Sequence, residues 1–335
     1  MLSLLSWIYG IFADLRNTLY ERSVFESTSL GARTISIGNI TTGGTGKTPL
    51  VAYAAEILTA RGEIVCILSR GYGRRNPKKR VLVSDGKQIL AEVDAAGDEP
   101  LELARKLLGK AMVIADADRA AAGEWAKRKF GVTAFVLDDG FQHRKVKRDL
   151  DIVCIDGADP FGRGKLLPAG RLRERPENLE RADIVALMRS QEGVHLELLH
   201  GDVRRLAPNA AIFEVERSIK SVTALGSSAG AVAFPAKSPP KSFAFCGLGN
   251  PGNFLSHLMQ EGIGIVGTQA FPDHYKYRQR DIREIEEAAT AVGATVLLTT
   301  AKDAVKLDGL NFQLPCYVVE VELEISDPEG FARLL

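Results

Sequence analysis

Short apolar runs alternate with amphipathic stretches through the first part of the chain, and this alternation predicts a sheet covered by helices. The helical patterns occupy residues 49–61, 100–108 and 119–130. Because strands that alternate with helices tend to pair in parallel, we expect an α/β fold with a mostly parallel sheet. The strand-like runs occupy residues 34–37, 64–68, 81–83, 112–115, 133–137, 151–155 and 184–188.

A break in composition separates this series from a second one. Residues 227–242 are rich in Ser, Ala, Pro and Gly, which is typical of a loop or linker. The pattern after the break predicts a second, smaller α/β domain. We therefore divide the chain into an apolar N-terminal segment (1–25), a larger domain (26–215) and a smaller domain (216–335). The elements expected in the smaller domain are strands at 243–246, 263–268, 295–298 and 317–321 and helices at 254–261 and 281–292.

The N-terminal segment begins with an uncharged, apolar run over residues 1–13. As a helix this run would be about 20 Å long, which is too short for a hydrocarbon core of roughly 30 Å. It also lacks the basic start and small-residue cleavage site of a secretory signal. Two interpretations remain: a helix in the membrane interface, anchored by Trp7, Tyr9 and Phe12, or a first helix packed on the protein core.

Composition narrows the possible partners. The 335 residues contain 43 Lys and Arg against 42 Asp and Glu, so the charge gives no indication of a general nucleic-acid binder. The four cysteines, Cys66, Cys154, Cys246 and Cys316, lie in apolar runs without any CxxC pair. We expect buried thiols, not disulfides or zinc ligands. Nothing in the sequence indicates an obligate protein partner.

A glycine-rich segment, residues 36–49, lies between the first strand-like run and the first helical pattern. Strand, glycine loop and helix in this order predict a phosphate-binding loop, although position 41 holds Thr where the standard spacing has Gly. The glycines let backbone N–H groups close around phosphate oxygens. Lys47 would reach the β- and γ-phosphates, and the Thr48 hydroxyl would ligate Mg²⁺. The candidate ATP-binding residues are Thr41, Thr42, Gly43, Gly44, Thr45, Gly46, Lys47 and Thr48. The alternative interpretation is a glycine-rich turn.

Acidic residues follow the strand-like run at 133–137. Asp138 and Asp139 stand where phosphate-loop proteins place the carboxylate that orients Mg²⁺, and the alternative is an Asp-Gly turn. Asp98 and Glu99 precede a helix, where Asp98 could simply cap the helix. The remaining candidates are the charged loop with Arg171, Arg173 and Glu174, the isolated His274, and a basic segment at 69–80 that could meet an anionic ligand or a lipid headgroup.

In combination these motifs resemble one family, the tetraacyldisaccharide 4′-kinases of lipid A biosynthesis in Gram-negative bacteria. The likeness extends from the apolar N-terminus to residues 302–306, with Ala301 in a position that is usually Glu in the family. The matching segments are Gly38-Asn39, Gly43 to Pro49, Ser69 to Gly73, Gly97 to Pro100, Asp138 to His143, Leu167 to Glu174 and Phe271 to His274.

The resemblance implies transfer of the γ-phosphoryl group of ATP to the 4′-hydroxyl of a tetraacylated disaccharide 1-phosphate. It further implies that Asp98 is the base, assisted by His274, and that Arg171 or Arg173 meets phosphate charge. Asp138, Asp139 and Glu174 would serve Mg²⁺ together with Thr48. The second domain would then close to bring His274 to Asp98.

The same resemblance implies a place for the chain in the cell. We expect a peripheral protein on the cytoplasmic face of the bacterial inner membrane, docked through its first helix, with the lipid A disaccharide precursor as its partner.

Three other functions remain in competition. A partition-type P-loop ATPase carries a lysine that reaches across the dimer at the position of Thr42, which counts against that class. A GTPase needs an Asn-Lys-x-Asp type segment, and residues 300–303 have the wrong spacing. A non-enzymatic nucleotide-binding module at the membrane surface would use the first helix and the basic segment. Phosphorylation of a lipid disaccharide distinguishes the kinase from all three.

Overall fold

The computed structural model describes residues 2–44, 46–189, 196–226 and 240–335. Within these ranges, twelve strands form one sheet. The strands are β1 (Arg33–Gly38), β2 (Val65–Ser69), β3 (Val81–Ser84), β4 (Met112–Ala115), β5 (Ala134–Asp138), β6 (Leu150–Asp156), β7 (Ile184–Met188), β8 (Ala211–Ala224), β9 (Ser242–Cys246), β10 (Ile265–Ala270), β11 (Val296–Thr300) and β12 (Cys316–Ile325).

Helices cover both faces of this sheet. Two short 3₁₀ turns, Gly162–Gly164 and Pro176–Arg181, lie between β6 and β7. The α-helices are α1 (Leu2–Glu21), α2 (Lys47–Ala60), α3 (Val93–Ala96), α4 (Asp98–Lys106), α5 (Arg119–Phe130), α6 (Leu196–Leu206), α7 (Pro251–Gln260), α8 (Gln279–Ala291), α9 (Ala301–Ala304) and α10 (Pro328–Leu334).

The strand order is β10-β9-β11-β12-β8-β7-β6-β1-β5-β2-β4-β3. Neighbouring strands are parallel except in two pairs, β8 with β12 and β3 with β4. The prediction of a mostly parallel α/β sheet is therefore confirmed. The sequence pattern did not predict strand β8, because its charged residues interrupt any apolar run. Helices α6 and α10 were also not predicted.

The smaller set of strands joins the larger one through β8, which continues past residue 215 without a break. The division into domains at residues 25 and 215 stays a prediction. Of the predicted linker at 227–242, residues 227–239 lie outside the described ranges, and Ser242 begins β9.

The strands beside the glycine loop are buried on both faces. Every residue of β2, β4, β5 and β7 is buried, as expected for parallel strands between helical layers. Ile35 and Ile37 of β1 pack in one core with Leu50 of α2. All four cysteines are free and buried, and burial raises the pKa of their thiols. The prediction of buried thiols is confirmed.

Helix α1 has its polar side turned inward. The buried residues are Ser6, Gly10, Ala13 and Asn17, which recur at the three- and four-residue spacing of one helix face. The Ser6 hydroxyl donates a hydrogen bond of 2.6 Å to the Leu166 carbonyl. The helix does pack on the protein, as one interpretation of the sequence held, but through small and polar side chains and not through its apolar ones.

The opposite face of α1 is apolar and exposed. Trp7 and Phe12 are 61% and 67% exposed, and most of the other large apolar side chains of α1 also face outward. Over the described part of the chain, no helix combines the length and apolarity needed to cross a membrane.

Close packing at the end of β1 gives a test of the fold. A Cβ on Gly38 would lie 2.6 Å from the Cβ and 2.7 Å from the backbone nitrogen of Phe141. We expect Gly38→Ala to lower the free energy of unfolding by about 1–3 kcal/mol, because the backbone must shift to admit the methyl group. Urea unfolding measures this. Gly201→Ala in α6 is the control, because a Cβ there meets open space, and unchanged or slightly higher stability is expected. Equal stability of the two variants would contradict the packing.

Candidate active site

The glycine loop connects β1 to α2, as its sequence predicts. Gly43 and Gly46 have φ angles of 114° and 82°, in the region that favours glycine. Lys47 is the first residue of α2, so its side chain and the helix N-terminus lie at the same point. Thr45 lies outside the described ranges. The loop therefore has the backbone shape and the charge that a phosphate group requires.

A second loop, residues 165–175, runs alongside the glycine loop. The Thr42 N–H donates to the Arg171 carbonyl at 2.7 Å, and the Arg171 guanidinium donates back to the Thr42 carbonyl at 2.7 and 3.0 Å. Arg171 also forms an ion pair of 2.8 Å with Asp159. Its Nη2 occupies the space in which a side chain at Gly43 would lie, so glycine is required there for a second reason. The structure therefore places Arg171 against the glycine loop, and its contact with phosphate stays a prediction.

Asp139 stands between two cations of the site. Arg173 Nη1 lies 2.6 and 2.7 Å from its two carboxylate oxygens, and Lys47 Nζ lies 3.6 Å from the nearer one. Burial alone would raise the pKa of Asp139, but the Lys47 and Arg173 charges outweigh it and lower the pKa to about 2. Asp139 is therefore ionised and fixes Lys47 beside the loop.

Asp138, at the buried end of β5, has a raised pKa, in contrast to the lowered pKa of Asp139. The Ser69 hydroxyl donates a hydrogen bond of 2.8 Å to it. Burial, with the nearby charges of Glu99 and Asp139, raises the pKa of Asp138 to about 6. A buried carboxylate with too little positive charge around it is a suitable ligand for a divalent cation, which would remove that deficit.

The donor set fits Mg²⁺ shared with a nucleotide. Asp138, Asp139 and the Thr48 hydroxyl are oxygen donors, which this hard cation prefers. No group of three or more His, Cys, Asp or Glu side chains among the residues described here forms a complete metal site by itself. In phosphoryl-transfer sites Mg²⁺ binds through one or two carboxylates plus substrate phosphates and waters.

Glu174, also predicted to serve Mg²⁺, lies in a different environment. Its side chain is fully buried, and its two oxygens accept hydrogen bonds from Gln142 Nε2 at 2.7 Å and Asn17 Nδ2 at 3.0 Å. Arg181 adds an ion pair. These contacts fasten α1 to the 165–175 loop and do not support the metal-ligand prediction. No local feature of the sequence could distinguish this carboxylate from one that faces a metal ion.

Asp98 and His274 meet, although they are separated by 176 positions in the sequence. His274 Nδ1 lies 2.8 and 3.0 Å from the two oxygens of Asp98. Burial raises the pKa of Asp98. The hydrogen bond from His274 and the charges of Lys302 and Lys306 lower the pKa by more than burial raises it, so the net shift is downward. The same hydrogen bond raises the pKa of His274 above 6.5. The helix-cap interpretation of Asp98 is wrong, because Gly97 is the N-cap and Asp98 is the first residue of α4.

Sequence reasoning assigned no roles to two lysines of the site. Lys302 Nζ lies 2.8 Å from Asp273 and 3.5 Å from Glu99, so it joins the segment of His274 to that of Asp98. Lys306 Nζ is buried, 2.8 Å from Asp303 and 3.9 Å from Asp98. The Lys-Asp-Ala-Val-Lys spacing, which places both lysines around one short helix, was the available signal.

Part of the basic segment at 69–80 is structural. Arg74 is buried, and its guanidinium donates to the carbonyls of Lys79, Ala115 and Pro77 at 2.7 Å each. Arg80 forms an ion pair of 2.7 Å with Asp116. These two arginines hold the loop in shape, so fewer charges face solvent than the sequence suggested.

Comparison with known proteins identifies the family. The family model for tetraacyldisaccharide-1-P 4′-kinase matches residues 1–335. The tetraacyldisaccharide 4′-kinase of Geobacter metallireducens is 37% identical over 330 residues, which cover 98% of this chain and 95% of the relative. The enzyme of the same name from Halothermothrix orenii is 36% identical over 352 residues, covering 100% and 91% respectively.

The fold agrees with a solved structure as well. The crystal structure of LpxK from Aquifex aeolicus in complex with ATP superimposes with a TM-score of 0.77 at 32% identity, and the match covers 98% of this chain and 96% of that one. With the family model matched over the whole chain and relatives similar over nearly their full length, this chain belongs to the tetraacyldisaccharide 4′-kinase family.

Proposed function

We propose that this chain transfers the γ-phosphoryl group of ATP to the 4′-hydroxyl of a tetraacyldisaccharide 1-phosphate, with Asp98 and His274 as the proton-accepting pair. Family membership supports the reaction, and it disfavours the partition ATPase, the GTPase and the non-enzymatic module. The observation that carries the mechanism is the short His274–Asp98 hydrogen bond beside the phosphate loop.

In the proposed reaction the acceptor hydroxyl gives its proton to the Asp98 carboxylate while its oxygen forms a bond to the γ-phosphorus. The bond from that phosphorus to the β,γ-bridging oxygen breaks, and ADP leaves. The Nδ1–H of neutral His274 donates to Asp98 and holds the carboxylate in one orientation. A sugar hydroxyl is a very weak acid, so a positioned acceptor lowers the barrier to its attack.

Cations from several segments surround the transferring group. Lys47 binds phosphate oxygens, and Asp139 holds the Lys47 ammonium in place. Arg171 exchanges its bonds to the Thr42 carbonyl for a phosphate oxygen, and Arg173 balances the charge of Asp139. Asp138, Asp139 and Thr48 would hold Mg²⁺, which would supply positive charge to the phosphates of the nucleotide.

The exposed apolar face of α1 supports docking at a membrane surface, where an acylated disaccharide resides. Trp7 and Phe12 are exposed, as predicted aromatic anchors should be. Tyr9, the third predicted anchor, is instead half-buried and donates a hydrogen bond of 2.8 Å to the Arg173 carbonyl, which fixes the helix to the loop that borders the site. Because ATP is available in the cytoplasm, the cytoplasmic face of the inner membrane is the proposed location.

A direct assay tests the reaction. Purified chain with ATP, Mg²⁺ and tetraacyldisaccharide 1-phosphate in detergent is expected to form the bis-phosphorylated disaccharide, measured by mass spectrometry. Lys47→Ala is expected to lower the rate by at least about a hundredfold, because charge on the transferring group loses its stabilisation. Lys110→Ala, which removes an exposed lysine paired with Glu56, is the control and should be unaffected. No product with the intact chain, or normal turnover by Lys47→Ala, would contradict the proposal.

The Asp98–His274 pair predicts non-additive losses. Asp98→Ala and His274→Ala should each lower the single-turnover rate by about a hundredfold or more, and the double variant should be little slower than Asp98→Ala alone. ATP affinity, measured separately, should change little because the glycine loop is untouched. Multiplicative losses would mean that the two residues act independently.

The pH dependence of the same rates provides a second readout. The active form has Asp98 ionised and His274 neutral, so the rate should rise with pH through the His274 pKa, which lies above 6.5. In His274→Asn the rise of the rate with pH should occur at lower pH, because the Asp98 carboxyl is then the titrating group of the pair. The contribution of His274 to stability runs in the opposite direction. It is complete below about pH 6.5 and decreases as pH rises through the raised pKa.

Membrane docking is tested by polar substitution on the exposed face of α1. The Trp7→Ser, Phe12→Ser double variant should bind anionic vesicles at least about tenfold more weakly in a flotation assay, because two apolar side chains no longer leave water. Its activity on detergent-dispersed disaccharide should be preserved. Leu198→Ser removes a 68% exposed leucine from α6 and is the matched control. Unchanged flotation of the double variant would contradict docking through α1.

A further inference from the structure

Strand β8 places an arginine at the edge of the sheet where the phosphate loop lies. Val215 of β8 pairs with Met188, the last residue of β7, and Arg217 follows two positions later. Side chains alternate along a strand, so Arg217 shares a face with Val215, which packs in the same core as α2. Arg217 therefore extends past the end of β7 on the side of the sheet where α2 begins.

The guanidinium of Arg217 reaches the phosphate loop. A Cβ built on Gly46 would lie 2.7 Å from Arg217 Nη2 and 3.1 Å from its Nε. Gly46 is the residue directly before Lys47 and the N-cap of α2. The nitrogen edge of Arg217 thus contacts the backbone of the loop at the point where Lys47 and the helix N-terminus also lie.

The positive charge of Arg217 has no close anionic partner. In the part of the chain that the structure describes, its side chain forms no hydrogen bond and no ion pair within 4 Å. Burial lowers the pKa of the guanidinium, and the charge of Asp156 opposes this only in part. By contrast, the two arginines of the 165–175 loop that face the site form ion pairs, Arg171 with Asp159 and Arg173 with Asp139. Arg217 is half-buried, so its guanidinium can bind an anion that approaches the loop.

We propose that Arg217 is a further substrate-binding residue of the kinase, donating to a phosphate oxygen of the nucleotide at the Gly46 end of the loop. That end of a phosphate loop holds the part of the nucleotide that ATP and ADP share, whereas the lysine extends toward the γ-phosphate. A guanidinium suits this position because its planar array of N–H groups can bind two oxygens at once. The inference rests on ATP as the phosphoryl donor, and it adds a contact from a strand outside the predicted phosphate-binding segment.

The test compares Arg217→Gln and Arg217→Lys with Arg189→Gln. Arg189 is a nearby exposed arginine paired with Glu214 and Glu216, and it is outside the catalytic and binding machinery. Calorimetric titration without the disaccharide should show about ten- to a hundredfold weaker binding of both ATP and ADP to Arg217→Gln. Arg217→Lys should recover part of the loss, and Arg189→Gln should bind normally. In steady-state assays KM for ATP should rise, with KM for the disaccharide unchanged.

Thermal unfolding without nucleotide separates this role from a structural one. Arg217→Gln removes a half-buried charge that has no close anionic partner among the described residues, so Tm should be little changed while nucleotide affinity falls. ATP and ADP affinities within twofold of those of the unsubstituted chain would overturn the proposal. A loss confined to ATP would overturn the assignment to the shared phosphates, and a lower Tm for both Arg217 variants with normal nucleotide affinity would make the residue structural. If the unsubstituted chain did not phosphorylate the disaccharide but Arg217→Gln still bound ATP and ADP more weakly, the result would count against the acceptor substrate and not against Arg217.

Discussion

The long antiparallel pairing of β8 with β12 is the constraint on which the site depends. β8 runs parallel to β7 and then continues past the edge of the first set of strands, and β12 returns along it from Tyr317 opposite Ala224 to Ile325 opposite Val215. Because β9, β10 and β11 are parallel to β12, their carboxyl ends point back toward the phosphate loop. Two sets of strand ends therefore face each other, and parallel sheets bind ligands at such ends.

This arrangement explains why charges from distant segments meet. His274 follows β10 and Lys302 follows β11, whereas Asp98 begins a helix of the other set of strands. His274 and Lys302 reach across to Asp98 and Glu99 through hydrogen bonds and ion pairs. Asp98 and Glu99 are thus neutralised by cations from the second set, and Asp139 by Lys47 and Arg173 of the first, whereas the pKa of Asp138 is raised because too little positive charge lies near it. We propose that Mg²⁺ bound with the nucleotide supplies the missing positive charge.

The 165–175 loop connects the site to the surface that we propose to face the membrane. Arg171 and Arg173 extend from it toward the glycine loop and Asp139, while Glu174 and the Leu166 carbonyl hold α1. Inward polar contacts of this kind leave the apolar side chains of α1 exposed, an arrangement that is unfavourable in water and favourable at a lipid surface. One short segment thereby joins the glycine loop to the helix that we propose to dock at the membrane.

The phosphate loop, the parallel strands and the four buried thiols could be predicted from the sequence, because each follows from local rules: glycine spacing between strand and helix, apolar runs, and the absence of CxxC pairs. Asp98 and His274 could be predicted as a pair only through resemblance to a family, since no local signal links residues so far apart. Three features required the three-dimensional structure: Glu174 holds α1, the apolar side of α1 faces outward, and Lys302, Lys306 and Arg217 reach the site. The physical reason is that a carboxylate or guanidinium has the same local sequence signature whether it faces a phosphate, an ion pair or solvent. The long-range register of β8 and β12, which no local pattern encodes, decides which of these three surroundings a charged side chain has.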